Sequence, residues 1–154
     1  MNLKPGDKAP TFKMATDGGG NTSLADLKGA PFVLYFYPKD DTTACTKEAQ
    51  GFSENLKKFE RLGVNLVGVS KDSVASHDRF KTKYKLKHTL ASDPEIETAE
   101  AYGVWGEKTL YGRTYMGMER ATFLIDAKGV IREIWRKVRV PGHVEAVLAA
   151  AKSL

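Results

Sequence analysis

A single cysteine, Cys45, occurs in the 154 residues. The chain therefore cannot close an internal disulfide, and it holds no Cys-x-x-Cys pair for dithiol exchange. That scarcity fits a reducing compartment. Long apolar runs are missing too: nothing approaches the roughly 20 residues of a membrane span. The opening stretch, Met1-Asn-Leu-Lys-Pro-Gly-Asp-Lys8, lacks the apolar centre of a secretory signal, and Asn2 breaks the myristoylation pattern. The expectation is a cytoplasmic protein without membrane association. The three histidines, His77, His88 and His143, are far apart in sequence, and no second cysteine joins them, so neither a metal site nor a cofactor is expected. Charge of one sign is not concentrated. The net charge of +5 is spread along the chain, with bases and acids interleaved as in Lys57-Lys-Phe-Glu-Arg61. The densest basic stretch, Lys81 to His88, alternates as a solvated helix end does, and no nucleic-acid-binding motif accompanies it. The triplet Gly18-Gly-Gly20 has neither the G-x-G-x-x-G nor the Walker spacing, so it reads as a turn.

What is present suits one domain over residues 1–154, with 42% hydrophobic residues for a core and 28% charged residues for a surface. Residues 8–27 read as a hairpin with a flexible turn at Asp17–Asn21. Pro31-Phe-Val-Leu-Tyr-Phe-Tyr37 is an unbroken apolar run, as expected of a strand covered on both faces. Cys45, Ala49, Phe52, Leu56 and Phe59 then recur at helical spacing as one stripe, with Asp40, Asp41 and Thr42 as capping residues and Gly63 as the stop. Val64–Ser70 is a second buried strand and Asp72–Lys85 a second helix. Thr89–Ser92 is a short strand. Asp93-Pro94 introduces a helix over Glu95–Tyr102 with proline in its first turn. Residues 103–118, rich in glycine, aromatic and charged residues, read as a loop. Arg120–Asp126 and Val130–Arg136 read as antiparallel strands, and Val144–Leu154 as a closing helix. The alternation predicts an α/β layered domain with a mixed central sheet.

Cys45 lies where the first buried strand ends and a helix begins. The first turn of a helix presents unpaired N–H groups and the positive end of its dipole, which favour negative charge and hence a thiolate. Taken alone, a cysteine on an apolar stripe reads as a buried structural residue; its place at the first turn opens the reactive reading. Thr42, three residues earlier, can share a face with the sulfur or serve as a plain N-cap. By residue type alone, Pro38 is a turn proline, Glu48 a helix-face carboxylate and Arg120 a strand-end surface arginine.

Pro38-x-x-x-Thr42-x-x-Cys45 resembles the active-site signature of the peroxiredoxins. Tyr35-Phe-Tyr-Pro-Lys-Asp40, Cys45-Thr-Lys-Glu-Ala49 and Tyr115-Met-Gly-Met-Glu-Arg120-Ala-Thr-Phe-Leu-Ile-Asp126 resemble the PrxQ, or bacterioferritin-comigratory (BCP), branch. The resemblance spans nearly the whole chain. It implies a thioredoxin-like fold, a mixed sheet flanked by helices with an N-terminal β-hairpin extension. It also implies thiol-dependent reduction of hydrogen peroxide and organic hydroperoxides through a Cys45 sulfenic acid. By the same resemblance Thr42 bonds the peroxide, Pro38 shields the thiolate, Arg120 faces the sulfur and Glu48 orients Arg120. The branch pattern is broken where Thr43-Ala44 replaces the usual Pro-Gly, and where Gln50 stands at the position of a resolving cysteine in many members. A one-cysteine cycle follows, with an external thiol such as thioredoxin, glutaredoxin with glutathione, or another small thiol as reductant, in a monomeric protein. The competing expectation is a non-catalytic thioredoxin-fold binding or holdase protein with a degraded site.

Overall fold

In a computed structural model, which describes residues 3–154, the apolar run becomes β3 (Phe32–Phe36), with every residue buried. On one side β4 (Asn65–Ser70) and β5 (Thr89–Ser92) run parallel to it; on the other, β8 (Ala121–Ile125) pairs with it antiparallel, and β9 (Ile131–Trp135) pairs antiparallel with β8. With β1 (Lys13–Thr16) and β2 (Asn21–Ser23) at one edge, the seven-stranded sheet has the order β2-β1-β5-β4-β3-β8-β9. This is the mixed sheet expected. Two-residue alternation explains why β3 is apolar throughout. Phe32, Leu34 and Phe36 enter one core, whereas Val33 and Tyr35, together with Tyr37 just beyond the strand, enter the other.

The second core holds the helices nearest the cysteine. α2 (Thr43–Glu54), α3 (Leu56–Arg61), α4 (Val74–Tyr84) and α6 (His143–Lys152) contribute Cys45, Ala49, Phe52, Phe59, Phe80, Val144 and Val147 to it. Tyr35 fixes α2 laterally: its ring stacks on Phe52 at 4.5 Å. It also fills the space above Gly68, where a Cβ would come within 2.6 Å of the ring. On the opposite face, α1 (Leu24–Leu27) and α5 (Glu97–Ala101) pack against the first core.

Four expectations are corrected. The single long helix breaks at Asn55 (φ −98°, ψ 3°), whose amide side chain donates to the Gly51 carbonyl at 2.8 Å. The apolar stripe nevertheless persists, which is why periodicity did not register the break. Residues 103–118 hold a ribbon, β6 (Trp105–Leu110) paired with β7 (Arg113–Met118). Tyr111 and Gly112 between them both have positive φ (52° and 75°), which matches the right-handed strand twist of a two-residue hairpin. A tyrosine in that position disguises the usual Asn-Gly signal, and the largely solvent-exposed strands show no apolar alternation. The fifth helix begins at Glu97, after Ile96 at φ 55°, so Pro94 lies before it rather than in its first turn. The N-terminal hairpin, β1 (Lys13–Thr16) with β2 (Asn21–Ser23), pairs with β5. Its turn is tied down: the Asp17 carboxylate accepts from Leu90 N and Lys81 Nζ, and Gly18 N donates to Asp78.

The three histidines are buried at separate places: His77 against Asp40, His88 against Tyr35, His143 against Thr122. Burial pushes His88 down to about 3 and His143 down to about 4. A depressed histidine contributes stability above its unfolded value near 6.5 and loses it as pH falls toward the folded value. His88→Gln should therefore be less stable than the parent at about pH 7.5, by urea unfolding. That deficit should shrink by about 2 kcal/mol at about pH 5, because only the parent must keep His88 neutral. An unchanged deficit would mean that His88 is not held neutral.

Candidate active site

Cys45 is the third residue of α2 and is 1% exposed. Chain topology brings Arg120 to it. The β3–β8 register sets Phe36 opposite Ala121, so the residue before Ala121 lies beside the point where the chain leaves β3 for the loop into α2. There Arg120 Nη2 donates to Cys45 Sγ at 3.2 Å, and Nη1 donates to Glu48 Oε1 at 2.7 Å. One planar fork thus serves sulfur and carboxylate together, which a lysine ammonium cannot do with the same geometry. Glu48 lies one turn after Cys45 on the same face of α2. It is fully buried, and its Oε2 has no hydrogen-bond partner among the described residues. Burial pushes the Glu48 carboxyl up to about 7, outweighing the opposing pull of the guanidinium. Arg120 itself is raised by Glu48 and Cys45 against the effect of its own burial.

Thr42 takes the N-cap place, and its carbonyl accepts from Thr46 N at 2.8 Å. Its hydroxyl does not cap the helix; it donates to the Lys39 carbonyl at 2.9 Å. The amides of Thr43, Ala44 and Cys45 therefore keep their usual vacancy at the helix start, and the Thr42 oxygen keeps its lone pairs for an incoming donor. Pro38 is half-buried at the start of this loop.

The loop is anchored from beneath by residues that the sequence did not single out. Asp40, read there only as a capping residue, is buried. Its carboxylate accepts from Tyr37 Oη at 2.6 Å and Ser76 Oγ at 2.8 Å, and it pairs with His77 Nδ1 at 2.7 Å. The other nitrogen, His77 Nε2, faces the Ala91 carbonyl at 2.8 Å. Both ring nitrogens thus meet acceptors, an arrangement that suits the imidazolium. Burial opposes that charge, but the Asp40 carboxylate prevails and raises His77. The Asp40 amide donates in turn to Asp72. A helical histidine 37 residues from its partner carries no sequence signal of this contact.

Gln50 is half-buried and lines shallow depressions beyond α2, one with Thr42, Thr46 and Tyr84. Trp105 is half-buried against the first core, whereas Tyr111 and Tyr115 are exposed on the ribbon. The wide cleft of about 640 Å³, between Thr11–Ala15, Ser73–Val74 and residues 92–98, does not include Cys45, Thr42 or Arg120. That cleft is therefore separate from the cluster at the helix start.

The profile of the AhpC/TSA family matches residues 5–134. The chain belongs to the AhpC/TSA family of peroxiredoxins. A bcp peroxiredoxin of Coxiella burnetii is 51% identical over 148 residues, covering 96% of this chain and 98% of the relative. The structure of a Xylella fastidiosa PrxQ Cys→Ser mutant superposes with a TM-score of 0.94 at 38% identity, covering 99% and 98% of the two chains. The bacterioferritin comigratory protein of Xanthomonas campestris, described for its alkyl peroxide reduction activity, superposes at 0.88 with 42% identity, covering 92% and 90%. The thioredoxin-like fold and PrxQ/BCP kinship expected from the sequence hold, and family membership makes the protein a thiol-dependent peroxidase. A peroxide substrate and a thiol reductant follow from the same membership. Among the described residues no helix is long and apolar enough to cross a membrane.

Proposed function

We propose that residues 1–154 act as one domain in which Cys45 is the peroxidatic nucleophile of a one-cysteine cycle. The thiolate attacks one peroxide oxygen, an S–O bond forms and the O–O bond breaks. Its electron pair leaves with the second oxygen, which takes the proton carried by the attacked oxygen and departs as water or an alcohol, leaving Cys45 at the sulfenic oxidation level. Arg120 holds negative charge on sulfur and on the developing oxyanion, the Thr42 hydroxyl accepts a hydrogen bond from the peroxide O–H, and the free amides at the start of α2 add donors. Pro38 shields the sulfur from water, and Glu48 orients Arg120. The observation that carries this reading is the guanidinium bridging Cys45 Sγ at 3.2 Å and Glu48 Oε1 at 2.7 Å.

Hydrogen peroxide and organic hydroperoxides are the proposed substrates, the latter in keeping with the alkyl peroxide activity of the Xanthomonas relative. An external thiol then attacks the Cys45 sulfenic acid, releasing water and leaving a mixed disulfide that a second thiol resolves. Thioredoxin, or glutaredoxin with glutathione, fits that role. Access requires the start of α2 to loosen, since the sulfur is 1% exposed. Residues 42–44 there are exposed, and no side chain caps the turn. The protein is proposed to work as a cytoplasmic monomer.

The test is dimedone trapping. One equivalent of hydrogen peroxide without reductant should yield a single dimedone adduct on the Cys45 peptide by mass spectrometry. Dithiothreitol added before dimedone should erase it and sustain peroxide consumption. No adduct and no turnover would defeat the proposal.

A further inference from the structure

Arg120 is not the only cation at this end of the sheet. Lys108 on β6 pairs across the ribbon with Tyr115, and the next pair on the same face of the ribbon is Gly106 with Gly117. The absence of side chains at that pair has a use. The Lys108 stem runs over the bare face of Gly117, where a Cβ would lie 2.9 Å from Lys108 Cδ and 3.3 Å from the Tyr115 ring. Along this track the ammonium reaches the Met118 carbonyl and donates to it at 2.7 Å. Met118 ends the ribbon two residues before Arg120. The intervening Glu119 is held by its amide on the Val104 carbonyl and by its carboxylate on Arg136 and Lys137 N. The last peptide before the Glu119–Arg120 unit is thus clamped by a half-buried lysine.

The ammonium has three donors, of which the Met118 carbonyl takes one. Among the described residues no carboxylate comes within 4.0 Å of it. Its positive charge therefore acts on its surroundings without a paired anion. Burial and the nearby Arg120 lower Lys108, while Cys45 and Glu119 pull the other way. In the structure the ammonium sits on Met118, two residues before the arginine whose guanidinium touches the sulfur. Glu48 from α2 and Arg120 itself also bring charge to the site, while His143 at the start of α6 is held neutral near neutral pH.

We propose that Lys108 is a positioning residue of the peroxidatic site. By this account it fixes the strand end that delivers Arg120 and supplies a second positive charge that favours the Cys45 thiolate, with Gly117 retained to let its stem pass. The inference rests on Cys45 being the nucleophile.

The experiment reads alkylation of Cys45 by neutral iodoacetamide, at about pH 6 and at a pH where the thiol is fully ionised, alongside peroxide kcat/KM. Lys108→Met keeps the stem and removes the charge. It should slow alkylation about 5–10-fold at the lower pH, match the parent at the higher pH, and lower kcat/KM comparably. Lys108→Arg should recover to within about 2-fold, since charge is retained. Gly117→Ala, which crowds the stem, should fall between. Slowing that is equal at both pH values, or none at all, would overturn the role of Lys108. Peroxide turnover surviving in Cys45→Ser would instead overturn the site reading beneath it, so the two failures are distinguishable.

Discussion

Replacing Cys45 by serine should drop peroxide consumption to the uncatalysed background with the fold intact. The thiolate is the reacting species in O–O cleavage, and a serine hydroxyl offers no comparable anion near neutral pH. In the proposed mechanism Arg120 and the free amides at the start of α2 stabilise negative charge but break no bond, so neither can substitute for the sulfur. The chain holds no second cysteine to take over. The variant should remain folded, because serine is nearly the same size and can accept the 3.2 Å bond from Arg120 Nη2. Trading a 1% exposed sulfur for a hydroxyl among apolar neighbours costs about 1 kcal/mol. Peroxide consumption coupled to a dithiol reductant, paired with urea unfolding, separates loss of chemistry from loss of structure. Serine-variant activity within a factor of about ten of the parent would remove Cys45 from the mechanism.

The site was half legible in the sequence, and the division has a physical basis. Cys45, Thr42 and Pro38 belong to one local strand-to-helix junction, and local spacing reports local geometry. The apolar run and the helical stripe located that junction, since each period follows from the element's own geometry. Arg120 became visible only through family resemblance. Its approach to Cys45 depends on the β3–β8 register, which pairs residues far apart in the chain. The Asp40–His77 contact had no signal of any kind, because a charged pair between a loop and the side of α4 leaves no period behind. The ribbon leaves no signal in the sequence for a related reason. Its strands are mostly exposed, so no buried face imposes alternation, and its turn places a tyrosine at positive φ. Lys108 on that ribbon was passed over with it.

Arg120→Met should lower kcat/KM for peroxide by about 10² to 10³, the usual effect of removing one preorganised donor from a developing negative charge. The same change has a stability signature that identifies the Glu48 partnership. Removing one member of a buried ion pair ordinarily costs about 3–5 kcal/mol, because the other charge is left without a partner. Here the loss should be smaller near neutral pH. Burial already holds Glu48 up at about 7 with the guanidinium in place, and without it the carboxyl moves higher and takes a proton instead of remaining charged. A carboxyl raised in the folded state stabilises most below its unfolded value near 4.5, and that contribution fades as pH climbs through the folded value. Urea unfolding of Arg120→Met should therefore show stability declining with rising pH, and the decline should run to higher pH than in the parent. Arg120→Met combined with Glu48→Gln should flatten that decline and leave peroxide reduction equally impaired, since an amide restores no positive charge at the sulfur. Arg120→Lys should recover only part of the rate, because one ammonium cannot reproduce a fork whose two nitrogens meet Cys45 and Glu48 separately. If the double variant instead regained the parent's rate, the guanidinium would be serving only to neutralise Glu48, and charge stabilisation at the sulfur would have to come from the helix amides and Lys108.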